Sequence, residues 1–79
     1  MDSMKNLVAF IAQNLVDNPR TVSVEEVYSG QTLVLELHVE KADIGKVIGR
    51  QGRTVDALRT IINAASAKDS KRTFLQIVE

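Results

Sequence analysis

The amino-acid sequence predicts a small α+β domain in the order αββααβ, a three-stranded mixed sheet with three helices on one face. Three observations carry this expectation. Apolar residues recur at helical spacing from Met4 to Val16 and alternate strictly from Leu33 to Val39. Two further helical patterns then meet at a glycine-rich segment before a last short strand. The 79 residues are expected to make one domain over 1–79, near the lower limit for a self-sufficient core.

Met4, Leu7, Val8, Ile11 and Leu15 share one face of the first helix, which Asp2 or Ser3 can cap and Asn18-Pro19 closes. Phe10 lies at the flank of that stripe, where partial burial is preferred to a partner contact. Thr21 to Glu40 reads as a hairpin with its turn at Ser29-Gly30. Leu33, Leu35, Leu37 and Val39 face one way, and Val34, Glu36, His38 and Glu40 the other. The alternation breaks at Glu25-Glu26-Val27, where a bulge is expected. Asp43 caps a short helix that buries Ile44, Val47 and Ile48 and runs into Gly49. The next helix, Arg53 to about Lys68, buries Val55, Leu58, Ile61, Ile62 and Ala65. Asp69-Ser70-Lys71 connects it to a strand from Arg72 to Val78, with Leu75 and Ile77 inward. Because two helices separate the second and last strands, these are expected to be parallel neighbours joined by a right-handed crossover.

Composition narrows the function. There is no cysteine, so disulfides and thiolate metal sites are excluded, and a reducing cytoplasm is compatible. No apolar run approaches the ~20 residues of a membrane span, and the start lacks the pattern of a signal peptide. With one histidine and no pair of acids bracketing the glycine segment, acid–base and nucleophilic roles lack candidates. No catalytic residue and no cofactor are therefore expected. Glu36, His38 and Glu40 could hold a metal, but an exposed polar sheet face is the preferred reading, so no metal is expected.

Net charge is zero, yet the charge is polarised. Residues 1–40 hold two basic side chains against six acids, whereas residues 41–79 hold eight against four. Three of the four glycines lie in Gly45-Lys46-Val47-Ile48-Gly49-Arg50-Gln51-Gly52, inside the basic half. A backbone without β-carbons beside basic side chains lets a sugar–phosphate strand come close. A Walker-type loop needs a Gly-Lys-Ser/Thr ending, and a dinucleotide fingerprint needs Gly-x-Gly-x-x-Gly straight after a strand; neither is present. Gly49 and Gly52 permit close approach and left-handed angles, and the amides near Gly52 and Arg53 open a helix N-terminus to anions. Arg50 can reach a phosphate, Gln51 can hydrogen-bond, and Lys46 and Arg53 extend the positive track. Gly45 is assigned to close helix packing, Lys41 and Arg59 to solvated charge, and Asp56 to pairing with Arg53 or Arg59.

The run Val47-Ile48-Gly49-Arg50-Gln51-Gly52-Arg53-Thr54-Val55, within helix–loop–helix, resembles the KH-domain signature: an apolar pair, Gly-x-x-Gly, then an apolar residue. The αββααβ order corresponds to the type II, prokaryotic form. Leu15-Val16-Asp17-Asn18-Pro19, Leu33-Val34-Leu35-Glu36-Leu37, Asp43 to Arg53 and Ala64-Ala65-Ser66-Ala67-Lys68 resemble the small stand-alone bacterial KH proteins of the KhpA type, with no departure at the loop. The resemblance implies a cytoplasmic single-stranded RNA-binding protein, an RNA chaperone or post-transcriptional regulator. It also implies links to cell division and envelope growth, often beside a larger KH protein of the Jag type. Val47, Ile48, Val55 and the last strand, with Lys71 and Arg72 at its start, would then border and floor a groove for about four nucleotides.

Phe10, Tyr28 and Phe74 are the only aromatics, so stacking on exposed rings is not expected to carry affinity. The alternative function is a KH-shaped interaction module acting through a larger partner. A homodimer or such a heterodimer would use either the Phe10 flank or the sheet face carrying Val34, Phe74 and Val78.

Overall fold

The computed structural model describes residues 4–67 and 72–78. Asp2 and Ser3, expected to cap the first helix, lie outside the described residues, as do Lys68, Asp69, Ser70 and Lys71. The elements are α1 (Met4–Leu15), β1 (Ser23–Ser29), β2 (Thr32–His38), α2 (Ile44–Ile48), α3 (Arg53–Ser66) and β3 (Arg72–Val78). Short 3-10 turns at Pro19–Thr21, Lys41–Asp43 and Arg50–Gly52 join them. The order is the expected αββααβ. The sheet runs β1-β2-β3, with β2 antiparallel to β1 and parallel to β3.

The leucines of β2 explain where the core sits. Leu33, Leu35 and Leu37 are buried, and their strand alternation puts them on one face beneath all three helices. Val8 and Ala12 bring α1 down on that face, Val47 brings α2, and Val55, Leu58 and Ile62 bring α3. Thr73 and Leu75 continue it on β3.

Several expectations need correction. The bulge is absent: β1 and β2 pair one-to-one from Ser23–His38 to Ser29–Thr32, with Gly30 and Gln31 as the turn. Glu26 simply takes an inward register position opposite Leu35, yet stays exposed because cover reaches only as far as Val24. An inward-pointing charge of this kind guards an edge strand against pairing. The α1 stripe centres on Val8 and Ala12; Phe10 is two positions from each, about 200° round the helix, and is 61% exposed. On α3 the buried line is Val55, Leu58, Ile62 and Ser66. Ile61 lies about 110° from the middle of that line and is exposed, as is Ala65. Ile48 is likewise at the surface, whereas Ile44 packs against the core.

Asp43 is fully enclosed, but it does not cap α2. Its carboxylate instead accepts the Asp17 amide at 3.3 Å, the Asn18 amide at 3.0 Å and the Asn18 side-chain amide at 3.1 Å. Lys46 Nζ stands 3.6 Å from it and 3.1 Å from Asp17. The connection leaving α1 is thereby tied to the start of α2. Burial alone would push the Asp43 carboxyl up, but the Asn18 and Asp17 hydrogen bonds and Lys46 outweigh it and hold it below its ordinary 3.8.

A depressed carboxyl contributes stability above its unfolded-state value and loses it as pH falls through the lower folded-state value. Asp43→Asn is expected to melt several degrees below the parent at pH 7, with the gap closing as pH falls below 3.8. Thermal melts across pH 2–7 check this; equal melting at pH 7 would remove the network from the fold's supports.

Candidate nucleic-acid interface

The loop between α2 and α3 is a backbone feature first. Gly49 ends α2 with φ 79 and ψ 173, a combination open essentially to glycine alone, while its N–H closes the helix on the Gly45 carbonyl at 2.9 Å. A β-carbon there would also stand 2.7 Å from Thr54 Cβ and 2.9 Å from the Thr54 amide nitrogen. Gln51 is left-handed at φ 57, ψ 27, the one non-glycine residue with positive φ among the described residues. Gly52, at φ 74, has an unobstructed side: its nearest neighbour would be Asp56 at 4.0 Å. Gly45 has open space where a β-carbon would stand, so close packing is not its role.

Side chains then divide the loop's charge. Among the described residues, the Arg50 side chain makes no hydrogen bond or ion pair and is exposed. Arg53 Nη2 donates to Gln51 Oε1 at 3.2 Å, which braces the strained residue. Lys46 departs from expectation. Its hydrogen bond to Asp17, with the charges of Asp17 and Asp43, raises its ammonium above the ordinary 10.5 and commits it to the fold. The Gly52 and Arg53 amides also differ from expectation, donating to the carbonyls of Gly49 and Arg50 within the turn. Gly52 offers α3 no side-chain cap, so the next amides of its first turn keep their pull on an anion. Val47 and Val55 are buried and support the loop from below; Ile48 alone of the expected apolar trio reaches the surface.

Beyond the loop a groove opens between α3 and the free edge of β3. One cavity of about 240 Å³ is lined by Arg59, Ile62, Asn63, Thr73, Phe74 and Leu75. A second of about 320 Å³ lies further along, bordered by Asn63, Ser66, Ala67, Arg72, Thr73 and Phe74. Arg72 thus sits at the far end of α3 from the loop, and Lys71 is outside the described residues. Arg59 was read as a solvated charge. Its Nη2 in fact donates to the Leu75 carbonyl at 3.2 Å, and Nη1 lies 4.0 Å from Asp56, the pairing anticipated for that acid. Asn63 is one turn on from Arg59 and shares its groove-facing side. No sequence signal announces a contact from a helix to a strand carbonyl sixteen residues later.

On the other sheet face, Glu25 rather than Glu40 joins Glu36 and His38, with His38 Nε2 3.9 Å from each carboxylate. One ligand atom from each of these three side chains lies within 4.8 Å of the others. Beside it Val27, Val34 and Phe74 align across the three strands, adding Val27 to the apolar residues expected there.

Comparison with known proteins places the whole arrangement in context. A family model described as "KhpA/KhpB, KH domain" matches residues 5–77. The "RNA-binding protein KhpA" of Clostridium perfringens is 47% identical over 75 residues, 95% of this chain and all of that protein. The protein of the same name from Aquifex aeolicus is 47% identical over 79 residues, the full length of both. That of Chlamydia trachomatis is 43% identical over 76 residues, 96% of this chain and 97% of its own. No solved structure gives a significant match.

The two loop glycines are expected to behave unequally. Gly49→Ala should cost about 3 kcal/mol, combining a glycine-only backbone angle with overpacking. Gly52→Ala should cost about 1 kcal/mol, the left-handed penalty alone. Urea denaturation measures both. Thr54→Ala should fail to rescue Gly49→Ala, because the Thr54 amide and β-carbon remain in place.

Proposed function

The chain belongs to the KhpA/KhpB KH-domain family, and on that footing we propose that it is a non-catalytic, single-domain protein that binds single-stranded RNA. The Gly49-Arg50-Gln51-Gly52 loop clamps the sugar–phosphate backbone, and the α3–β3 groove takes the bases that follow. The observation that carries this is the preset loop. Gly49 and Gln51 already hold the angles that turn Arg50 outward, unpaired, beside the N-terminal end of α3. No ordering of the backbone is then needed on binding. Ile48, Arg53 and Arg72 complete the contact set, with Lys71 expected at its end; Val47, Val55 and Lys46 act through the position of the loop.

We also propose a cytoplasmic setting and a role as RNA chaperone or post-transcriptional regulator bearing on cell division and envelope growth. Pairing, with a second copy or a larger KH protein of the Jag type, would use the open sheet face. The row Val27, Val34 and Phe74 supports that choice, Val27 being 43% and Phe74 51% exposed. The exposed Phe10 on α1 is the other surface to test.

Titration of fluorescent single-stranded RNA at several salt concentrations tests the clamp. The parent should bind with a log–log salt slope of roughly −0.7 per phosphate contacted. Arg50→Asp/Gln51→Asp, folded by circular dichroism, should lose binding by on the order of a hundredfold, two charge-assisted contacts having been reversed. Equal binding by both would move the contact to a diffuse basic surface. Binding by neither would favour the interaction-module alternative.

A further inference from the structure

The open sheet face carries a set of donors that neither the loop nor the groove uses. Glu25 and Glu36 stand directly opposite one another in the antiparallel β1–β2 pair, and His38 follows Glu36 by two residues on the same face. Like charges directly opposite across a sheet repel. His38 Nε2 is equally far from both, 3.9 Å from an oxygen of each carboxylate. That separation is too long for a hydrogen bond. Nε2 is nevertheless enclosed and without a hydrogen-bond partner, the one side-chain atom so placed among the described residues. A ring nitrogen left unbonded away from water is costly, and a bound ion is one way to satisfy it.

We propose that Glu25, Glu36 and His38 bind a divalent ion of the zinc class. Their three donor atoms lie within 4.8 Å of one another. Zinc holds imidazole nitrogen and carboxylate oxygen at about 2.0–2.2 Å, so two donors on one ion stand up to about 4 Å apart. Both 3.9 Å separations already fall within that span. Glu36 and His38 are half-buried on the central strand and act as fixed points, whereas Glu25, 68% exposed in its side chain, can turn to close the set. One ion thereby bonds the enclosed nitrogen and neutralises two opposed carboxylates. The imidazole selects the metal. Magnesium and calcium take oxygen donors, while zinc accepts nitrogen and oxygen together. Three protein donors leave the fourth zinc position to water. Alternation along β2 points to Glu40 as the second acid; the antiparallel register supplies Glu25 instead.

The test titrates the full, untagged chain with zinc chloride, followed by calorimetry and by the nuclear magnetic resonance of the His38 ring, the only histidine in a chain without cysteine. One ion per chain should bind, with the Nε2 signal shifted by coordination. Excess zinc should raise the melting temperature by several degrees, and magnesium should do neither. His38→Asn and Glu25→Gln should each weaken zinc by about tenfold or more, at least the loss that an outer-shell partner causes. Glu40→Gln should bind zinc like the parent. Glu25→Gln gives a second readout that a folding defect does not mimic. With a chelator present it should melt at or above the parent, an opposed like charge being gone, and with zinc present it should melt below. An absence of zinc binding overturns the proposal. So does uptake that leaves the His38 ring signals unmoved or survives His38→Asn, magnesium matching zinc, or Glu40→Gln weakening zinc as much as Glu25→Gln.

Discussion

The buried carboxylate of Asp43 is the only buried charged group among the described residues, and the geometry of the site depends on it. A charge taken out of water is tolerable only when it is surrounded by donors. Here those donors come from the connection after α1, through Asp17 and Asn18, and from Lys46 on α2. The need to satisfy one carboxylate therefore joins two segments some twenty-five residues apart in sequence. With the start of α2 fixed there and Val47 in the core, the five-residue helix has little freedom to pivot. Its last turn then delivers Gly49 to a set place against Thr54. A short helix has too few hydrogen bonds of its own to hold such a position.

The same network redistributes charge. Lys46 lies within the most basic segment of the sequence, yet it is spent on Asp17 and Asp43. What remains is Arg50 and Arg53 at the loop, Arg59 midway along α3, and Arg72 at the far end of the groove. From the loop these follow the course of α3 and the edge of β3. The molecule can be neutral overall and still be polarised, because six of its ten acids lie in residues 1–40 and eight of its ten basic side chains in residues 41–79.

Much of this was legible in the sequence, and the reasons differ by element. The order αββααβ and the strand directions follow from periodicity, which short-range sterics impose on every chain. The loop was legible because two glycines at a fixed spacing between helical patterns answer a local backbone need. The broken alternation at Glu25–Val27 is not a bulge, because alternation speaks of burial, while an edge strand overhanging its cover can keep a charge on the inward side. Ile61 reads as inward, and Phe10 as partly buried at the flank of its stripe, because a window of apolar residues leaves the centre of the stripe uncertain by one position, and one position is 100°. Asp43 before a helix looks like a cap, and its long-range donors have no local trace. Arg59 was lost for the same reason: its partner is a backbone carbonyl, and a carbonyl belongs to no residue type.

Phe74 joins the two surfaces of the molecule. By register it lies beside Val34 on the open sheet face, whereas it also lines both cavities of the groove. This is possible because β3 is an edge strand, so a large side chain there can be approached from either side of the sheet. A protein covering the open face and a strand lying in the groove would thus touch one ring. Burying that ring removes apolar surface on either side, at about 25 cal/mol per Å².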